Sequence, residues 1–441
     1  MKELKCTAAS LLNSETTGLQ RITGDEMYVE RIESQSISLE LYDDILKRGK
    51  AIGVTDNFKT IINYFKTPQK ETPPGFRVEY QLMGDGAVLA DLKRDISYDK
   101  NGIRRPSMIL FSADSANPYE VAGVKDLIGN LTCNPAIIYN LFINDPKENI
   151  GLRYKTRDEV LMEIGKILGP GCDISVELND PFSASDNEIL EEAARFKEML
   201  SEYRVVIKVP HTGPVNASNV KELMTGDKKF SKRYNQGTSA DAYRGHNIAL
   251  MLKEHGYRVN FTLMFEPYQT AMALQARPYF INSFIMFRHT QSRHMAGLLQ
   301  AYETTGDIQF VELLQNYMFE NDYLSSNEIG ADIFSAYTRA KEILQYRGFL
   351  HNPAADGLDG IRHNLRVLRQ ANLPDSKLII CNMQGENYYP YIDKLLMEAE
   401  FMDMADRVII TAAPDLLAQF TANPNVIQFQ RRFMNAADGA K

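Results

Sequence analysis

Lys208 stands in the run "RVVIKVPHTG" (204–213), with Val205, Val206 and Ile207 before it and Val209 after it. Such a run reads as a buried strand. An unpaired ammonium there is costly, so the lysine must be paired, neutralised or used. Other apolar runs carry polar residues of their own: Asp114, Thr132 with Asn134, Glu177, Asn260 with Thr262, Asn282, and Asn382 with Gln384. For the lysine alone, a structural ion pair with Glu177 or Asp114 is the better reading, and a lone aspartate at a strand end is more often a cap. Concurrence shifts the balance, because a polar group at the same level in most runs is expensive in a core unless a ligand uses it. The chemistry such a set supports is Schiff-base catalysis. Burial is expected to lower the lysine pKa and leave a nucleophilic amine, which condenses with a ketone to give an iminium electron sink. Cleavage of the adjacent carbon–carbon bond then needs a proton acceptor on the aldol hydroxyl, a role open to Asp114 or Glu177. No organic cofactor is expected, since the lysine itself supplies the electron sink.

The elements that would position these residues repeat one pattern. Short β-branched runs end in polar or small residues and give way to helical periodicity: "SMILFSAD" (107–114), "LIGNLTCNP" (127–135), "DISVELND" (173–180), "RVVIKVPHT" (204–212), "RVNFTLMF" (258–265), "YFINSFIMF" (279–287), "KLIICNMQ" (377–384) and "RVIITAAP" (407–414). Amphipathic stretches such as 186–203 and 246–257 lie between them, with apolar residues three and four apart. Alternation of strand and helix predicts a parallel sheet, and eight such units predict a closed (β/α)8 TIM barrel of the α/β class. The open-sheet alternative lacks its phosphate fingerprints, since neither GxGxxG after the first strand nor GxxxxGK[ST] occurs. The expected organisation is a partly helical N-terminal extension over 1–105, a barrel over 106–425 and a C-terminal tail over 426–441. Helical insertions follow strands 4 and 6, at about 213–245 and 289–375, on the face where barrel enzymes keep their sites, so they are candidate lids.

With 441 residues, 44% hydrophobic and 24% charged, the chain reads as an ordinary globular protein. A net charge of −8 without a basic cluster makes nucleic acid and anionic membranes poor partners and leaves a small molecule as the expected ligand. Four dispersed cysteines (Cys6, Cys133, Cys172, Cys381) suggest free thiols in a reducing compartment, and the absence of an apolar leader or long apolar run suggests a cytoplasmic location. His289 and His294, five apart in "HTQSRH", do not have the spacing of two ligands on one helix face, so no metal is expected. His211 is within reach of the site mouth but reads more simply as a hydrogen-bonded loop residue.

These runs resemble the transaldolase family of class I, Schiff-base-forming aldolases. The likeness extends from about residue 107 to about 422, interrupted by the insertions, and rests on "TCNPAII", "ISVEL", "VVIKVP" and above all "VNFTLMFEPYQTAMALQARPYFINSFI". The resemblance implies that Lys208 forms the Schiff base and that Asp114 exchanges the proton of the aldol hydroxyl. Glu177 would act through a water held with Thr262. Asn134 and Asn260 would bind substrate hydroxyls, Phe284 would lie beside the sugar, and Thr132 would complete the same layer. Related fructose 6-phosphate aldolases carry Gln and Tyr where this chain has Glu177 and Phe284, which favours group transfer over simple aldol cleavage. The implied partner is a sugar or sugar phosphate, with room for a homo-oligomer.

Two departures concern phosphate. The family's S-P-F-V-G-R reads "NSFIMFR" here, with Asn282 at the serine, Phe287 at the phosphate-gripping arginine and Arg288 one residue late. The family's A-S-F-R-N reads "CNMQG", with Asn382 and Gln384 at the other two phosphate ligands. Losing an arginine's bidentate grip costs on the order of 2 kcal/mol. The donor or acceptor is therefore unphosphorylated or carries another polar tail, or Arg288, Arg293 or the basic residues of the first insertion (Lys221, Lys228, Lys229, Arg233, Arg244) replace the anchor. The readings in contention are a transferase moving a dihydroxyacetone unit, an aldolase acting on an unusual sugar, and a non-catalytic sugar-binding or scaffold barrel.

Overall fold

Burial along "AVLADLKR" alternates residue by residue, with Val88, Ala90, Leu92 and Arg94 inward, the period-two signature of a strand with one wet face. This strand belongs to a four-stranded sheet. Its members are β1 (Gln20–Arg21), β2 (Ala51–Val54), β3 (Phe76–Leu82) and β4 (Ala87–Arg94), in the order β1-β2-β4-β3 with an antiparallel β3–β4 hairpin. Helices Leu39–Arg48 and Asp56–Phe65 cover it, burying Ile45, Phe58 and Ile62 against Ile52 and Val88. The chain is described here from a computed structural model over residues 6–14, 18–65, 68–73, 75–101, 103–200, 204–328, 330–349, 356–381 and 388–439. The sequence reading of the N-terminal region found these helices and missed the sheet. Its strands are short or carry charges on the wet face, so they do not stand out as apolar runs.

The eight apolar runs form a closed, all-parallel barrel: β5 (Leu110–Asp114), β6 (Ile128–Cys133), β7 (Asp173–Glu177), β8 (Arg204–Pro210), β9 (Val259–Met264), β10 (Phe280–Phe284), β11 (Lys377–Cys381) and β12 (Val408–Ala412). The fold is therefore a (β/α)8 barrel. Helices start where the sequence caps them: Thr156 with Glu159 and Ser185 with Glu188 form reciprocal capping boxes ahead of Arg157–Leu168 and Asp186–Met199. One expected strand, 279–287, is shorter than its apolar run. β10 ends at Phe284, and Met286 opens a twenty-residue helix, Met286–Thr305.

Helices Met286–Thr305, Gln309–Glu320 and Ile333–Tyr346 share a small core of Met295, Leu314, Met318, Ala340 and Leu344. The next helix, Asp359–Gln370, packs against β11 and the Pro267–Gln275 helix and so belongs to the barrel wall. The segment after β8 is mostly loop and lies against the three-helix unit: Lys229 donates to the Glu320 carbonyl at 2.7 Å, and Ser326 N to the Phe230 carbonyl at 3.1 Å.

The N-terminal unit sits on the opposite face. Ile96 enters the barrel bottom among Leu110, Val206, Phe280, Ile379 and Ile409, and Arg94 pairs with Asp173 at 2.6 Å. It seals the strand starts and cannot complete a pocket at the strand ends. The final helix, Pro424–Gly439, buries none of its residues. No described helix is long and apolar enough to cross a membrane.

Candidate active site

Inward-facing residues stack in layers, as the period of two requires. Above the apolar bottom layer, Asn130 Nδ2 donates to Ser112 Oγ at 2.8 Å and Ser175 Oγ donates to Asn130 Oδ1 at 3.1 Å. This layer is polar and satisfied. Sequence reasoning passed over it, although each member lies two residues before an inward residue that was singled out (Asp114, Thr132, Glu177).

The next layer holds the proposed chemistry. Register places Asp114 opposite Thr132, Glu177 opposite Lys208, and Lys208 opposite Asn260. Lys208 Nζ lies 3.1 Å from Glu177 Oε2, and its side chain is only 4% exposed. Burial alone would lower the Lys208 pKa, but the charges of Glu177 and Asp114 outweigh it and hold the group above its usual value. This corrects the expectation of a lysine neutralised by burial: it rests as a paired ammonium. Asp114 moves the other way from an ordinary carboxylate. Burial pushes it up to about 6, against the pull of Lys208 and with the repulsion of Glu177.

Among the described residues, several polar atoms of this part of the barrel are buried without a protein partner: Thr132 Oγ1, both amide atoms of Asn260, Thr262 Oγ1 and Asn282 Oδ1. Thr411 Oγ1 on β12 belongs with them and was not singled out from sequence, where "RVIITAAP" shows no charge to draw attention. Groups in this state carry a desolvation cost that a polyhydroxylated ligand can relieve. A bulge helps to aim them. The β9–β10 register slips between Ile281 and Ser283, and Leu263 beside it takes φ of 61°, a left-handed conformation that is strained for a leucine.

A cavity of about 480 Å³ opens beside Asp114, lined also by Asn134, Phe284 and Phe287 among others; Lys208 and Glu177 are not among its described lining residues. Asn134 caps the short helix that follows it, accepting from Ile137 N at 2.9 Å. Phe284 packs on Phe265 with ring centroids 4.8 Å apart. Three acids, Glu120, Asp145 and Glu148, line the cavity beside Asp114, and among the described residues its lining contains no lysine, arginine or histidine.

Four of the candidate replacement anchors, Arg288, Lys229, Arg233 and Arg244, are engaged elsewhere. Arg288 donates to Glu266 at 2.9 Å and to Asp359 at 2.6 Å, and Arg347 grips the other oxygen of Glu266 at 2.8 Å. Arg288 is thus a tie between the long helix and the barrel wall, not a residue of the pocket, because the one-residue offset from Phe287 turns it to the other side of the helix start. Lys229 bonds carbonyls of the three-helix unit, Arg233 pairs with Glu328, and Arg244 holds the Pro181 carbonyl at 2.8 Å. Among the described residues neither insertion lines the cavity: the two segments pack on each other and on the Glu266 cluster, and not as lids. Asn382 and Gln384 lie outside the described residues.

The histidines have structural surroundings. His289 Nδ1 is 2.9 Å from the Tyr388 hydroxyl, His294 stacks on Tyr317 at 4.0 Å, and His211 lies on Phe261 at 4.5 Å with its pKa pushed down to about 4 by burial and by His246. Among the described residues no cluster of three His, Cys, Asp or Glu side chains could hold a metal ion.

Residues 111–338, more than half of the chain, match a family model described as transaldolase/fructose-6-phosphate aldolase. A comparison with curated proteins gave no match. The matched span runs from β5 through β10 and contains Asp114, Glu177, Lys208 and Asn260.

Proposed function

The chain belongs to the transaldolase/fructose-6-phosphate aldolase family, and from that premise we propose that it moves a dihydroxyacetone unit between sugars through a Schiff base on Lys208. The observation that carries this reading is a buried lysine paired to one carboxylate, beside a second carboxylate poised near 6 that opens onto a cavity.

Glu177 takes a proton from the Lys208 ammonium, and the freed amine attacks the ketose carbonyl. Loss of water from the carbinolamine, with protons relayed by Glu177 and a water held at Thr262, leaves the iminium. The Asp114 carboxylate then takes the proton of the aldol hydroxyl, which is borne by the second carbon from the iminium carbon. The carbon–carbon bond breaks, its electron pair flows into the iminium, and an aldehyde leaves. The remaining enamine adds to an acceptor aldehyde, Asp114 returns its proton, and hydrolysis frees Lys208. A carboxyl with a pKa near the working pH suits a group that must act in both directions.

The substrate end that reaches the cavity is unphosphorylated in this reading. Each carboxylate within about 5 Å of a phosphate charge costs roughly 3 kcal/mol at an effective dielectric of about 20. Among the described residues, four acids and no basic side chain line the space. Phe287, standing where the family carries its arginine, offers an apolar face instead.

Borohydride trapping tests both parts. The protein is incubated with fructose, dihydroxyacetone, fructose 6-phosphate or sedoheptulose 7-phosphate, reduced, and read by intact mass and peptide mapping. The expected result is a reduced three-carbon adduct on Lys208 from the unphosphorylated ketose, absent in Lys208→Met. Adducts from the phosphorylated sugars alone would overturn the substrate assignment. The absence of any adduct would favour the non-catalytic barrel.

A further inference from the structure

On the barrel's N-terminal face, opposite the proposed active site, a cavity of about 250 Å³ lies between the starts of β9, β10 and β11 and is lined by Lys253, Arg258, Arg277, Tyr257, Tyr279 and Asp375 among others. Three cations face one acid. Among the described residues none of these three side chains has an ion pair or hydrogen-bond partner, although nearly every other half-buried arginine of the barrel is held by a carboxylate or a carbonyl. Arg258 is half-buried, with its guanidinium 5.6 Å from the centre of the Tyr279 ring, and Arg94 lies 5.3 Å from the same ring.

The charge balance around this ring is unfavourable. Arg94 and Arg204 share the single carboxylate of Asp173, so Arg258 adds a further positive charge to a region already in cationic excess. Burial, then the charge of Arg94, pulls Arg258 down to about 9. Lys253 is lowered as well, by partial burial and by Arg277. Cations held this way gain from a bound anion, and a guanidinium beside an ammonium is the arrangement that grips phosphate. The cavity falls below the roughly 300 Å³ typical of drug-sized ligands, so only a small molecule fits.

We propose that Lys253, Arg258 and Arg277 form a second site, on the face away from Lys208, that binds the phosphate group of a small phosphate monoester. The tyrosine rings of Tyr257 and Tyr279 flank its carbon part. The site does not depend on the catalytic assignment, because it shares no residue with the cavity beside Asp114.

The test is calorimetric titration of the intact protein with glycerol 3-phosphate, inorganic phosphate and glycerol. Saturable binding of glycerol 3-phosphate is expected, with none of glycerol. Affinity should fall about tenfold or more in the double variant Lys253→Gln/Arg277→Gln, the loss expected when charge-assisted contacts go. Both residues are exposed, so that variant should fold even if Arg258→Met does not. Asp114→Asn should leave the affinity unchanged. Equal binding of inorganic phosphate would support the site and show that the phosphate group is all it recognises. Unchanged affinity in the double variant, or no saturable binding by either phosphate, would overturn the proposal.

Discussion

Strands β7 and β8 join two ion pairs, one at each end of the barrel, because register sets Asp173 against Arg204 and Glu177 against Lys208. At the bottom, Arg204 Nε donates to Asp173 at 2.6 Å, its NH2 group donates to the Gly171 carbonyl at 2.6 Å, and Arg94 reaches the same aspartate from the N-terminal unit. Gly75 closes over this pair at φ of 76°, so tightly that a Cβ there would lie 0.9 Å from an Arg204 nitrogen. At the top, Lys208 has one carboxylate at 3.1 Å, and among the described residues Thr132 Oγ1, Thr262 Oγ1 and both amide atoms of Asn260 find no protein partner. The two pairs are alike in sign, strand and burial. Both leave buried polar atoms without a partner among the described residues, Asp173 Oδ2 at the bottom included, so they differ in access and cation type. A guanidinium does not give up its proton, whereas an ammonium with a nearby carboxylate can. A buried ion pair in this barrel is therefore structural where a guanidinium is sealed in, and suited to proton exchange where an ammonium stands near a carboxylate that lines a cavity.

The largest effect should come from giving the top pair the chemistry of the bottom one. Lys208→Arg keeps the charge opposite Glu177 and removes the nucleophile. Turnover and the trapped adduct should both fall by at least about 10⁴-fold, as when a covalent nucleophile is lost. Activity within tenfold of the parent would show that another group attacks the ketose. The second effect is on stability. Arg204→Leu strands Asp173 with one cation fewer in a sealed site and should cost about 3–5 kcal/mol in urea unfolding, the range for breaking a buried pair from one side. The folded fraction should keep its trapping rate. A cost under about 1 kcal/mol would erase the contrast between the two ends.

The barrel was legible because each of its strands is buried on both faces and so appears as a continuous apolar run, with helical periodicity between runs. The top pair was legible for the same reason: Lys208 and Glu177 interrupt such runs. The bottom pair was not, since Asp173 and Arg204 stand at the first positions of their runs, where a charge looks like a strand boundary. Their burial follows from Arg94, Gly75 and Ile96, residues distant in sequence whose placement only the fold reveals. The same limit applies to Arg288. Sequence placed it one residue from a phosphate anchor, and a helix starting at Met286 turned it into Glu266 and Asp359. The sign of the Lys208 shift also depended on distances: burial and two carboxylates oppose each other, and only their geometry decides which prevails.

The smallest predicted effect separates the two ends by pH. Asp173 is held below its ordinary value: burial opposes this, but the charges of Arg94 and Arg204 prevail. Its contribution to stability is present above the unfolded carboxylate pKa and is lost as pH falls through the folded one. Asp114, raised to about 6, has the opposite sign. The fold disfavours its ionisation, so stability present below the unfolded value of about 4 is lost as pH rises through about 6. Asp114→Asn should thus match the parent near pH 4 and exceed its stability by on the order of 2 kcal/mol at pH 8, while turnover collapses and the adduct with dihydroxyacetone still forms. In the parent, kcat/KM should fall below about pH 6, where Asp114 is protonated and cannot accept the hydroxyl proton. Urea midpoints of both proteins at pH 4, 6 and 8 check the first statement, and the acid limb of kcat/KM checks the second. A parent that is the more stable at pH 8 would mean that the Lys208 and Asp114 charges favour each other enough to offset burial, and the top of the barrel would then be held together by the same balance as the bottom.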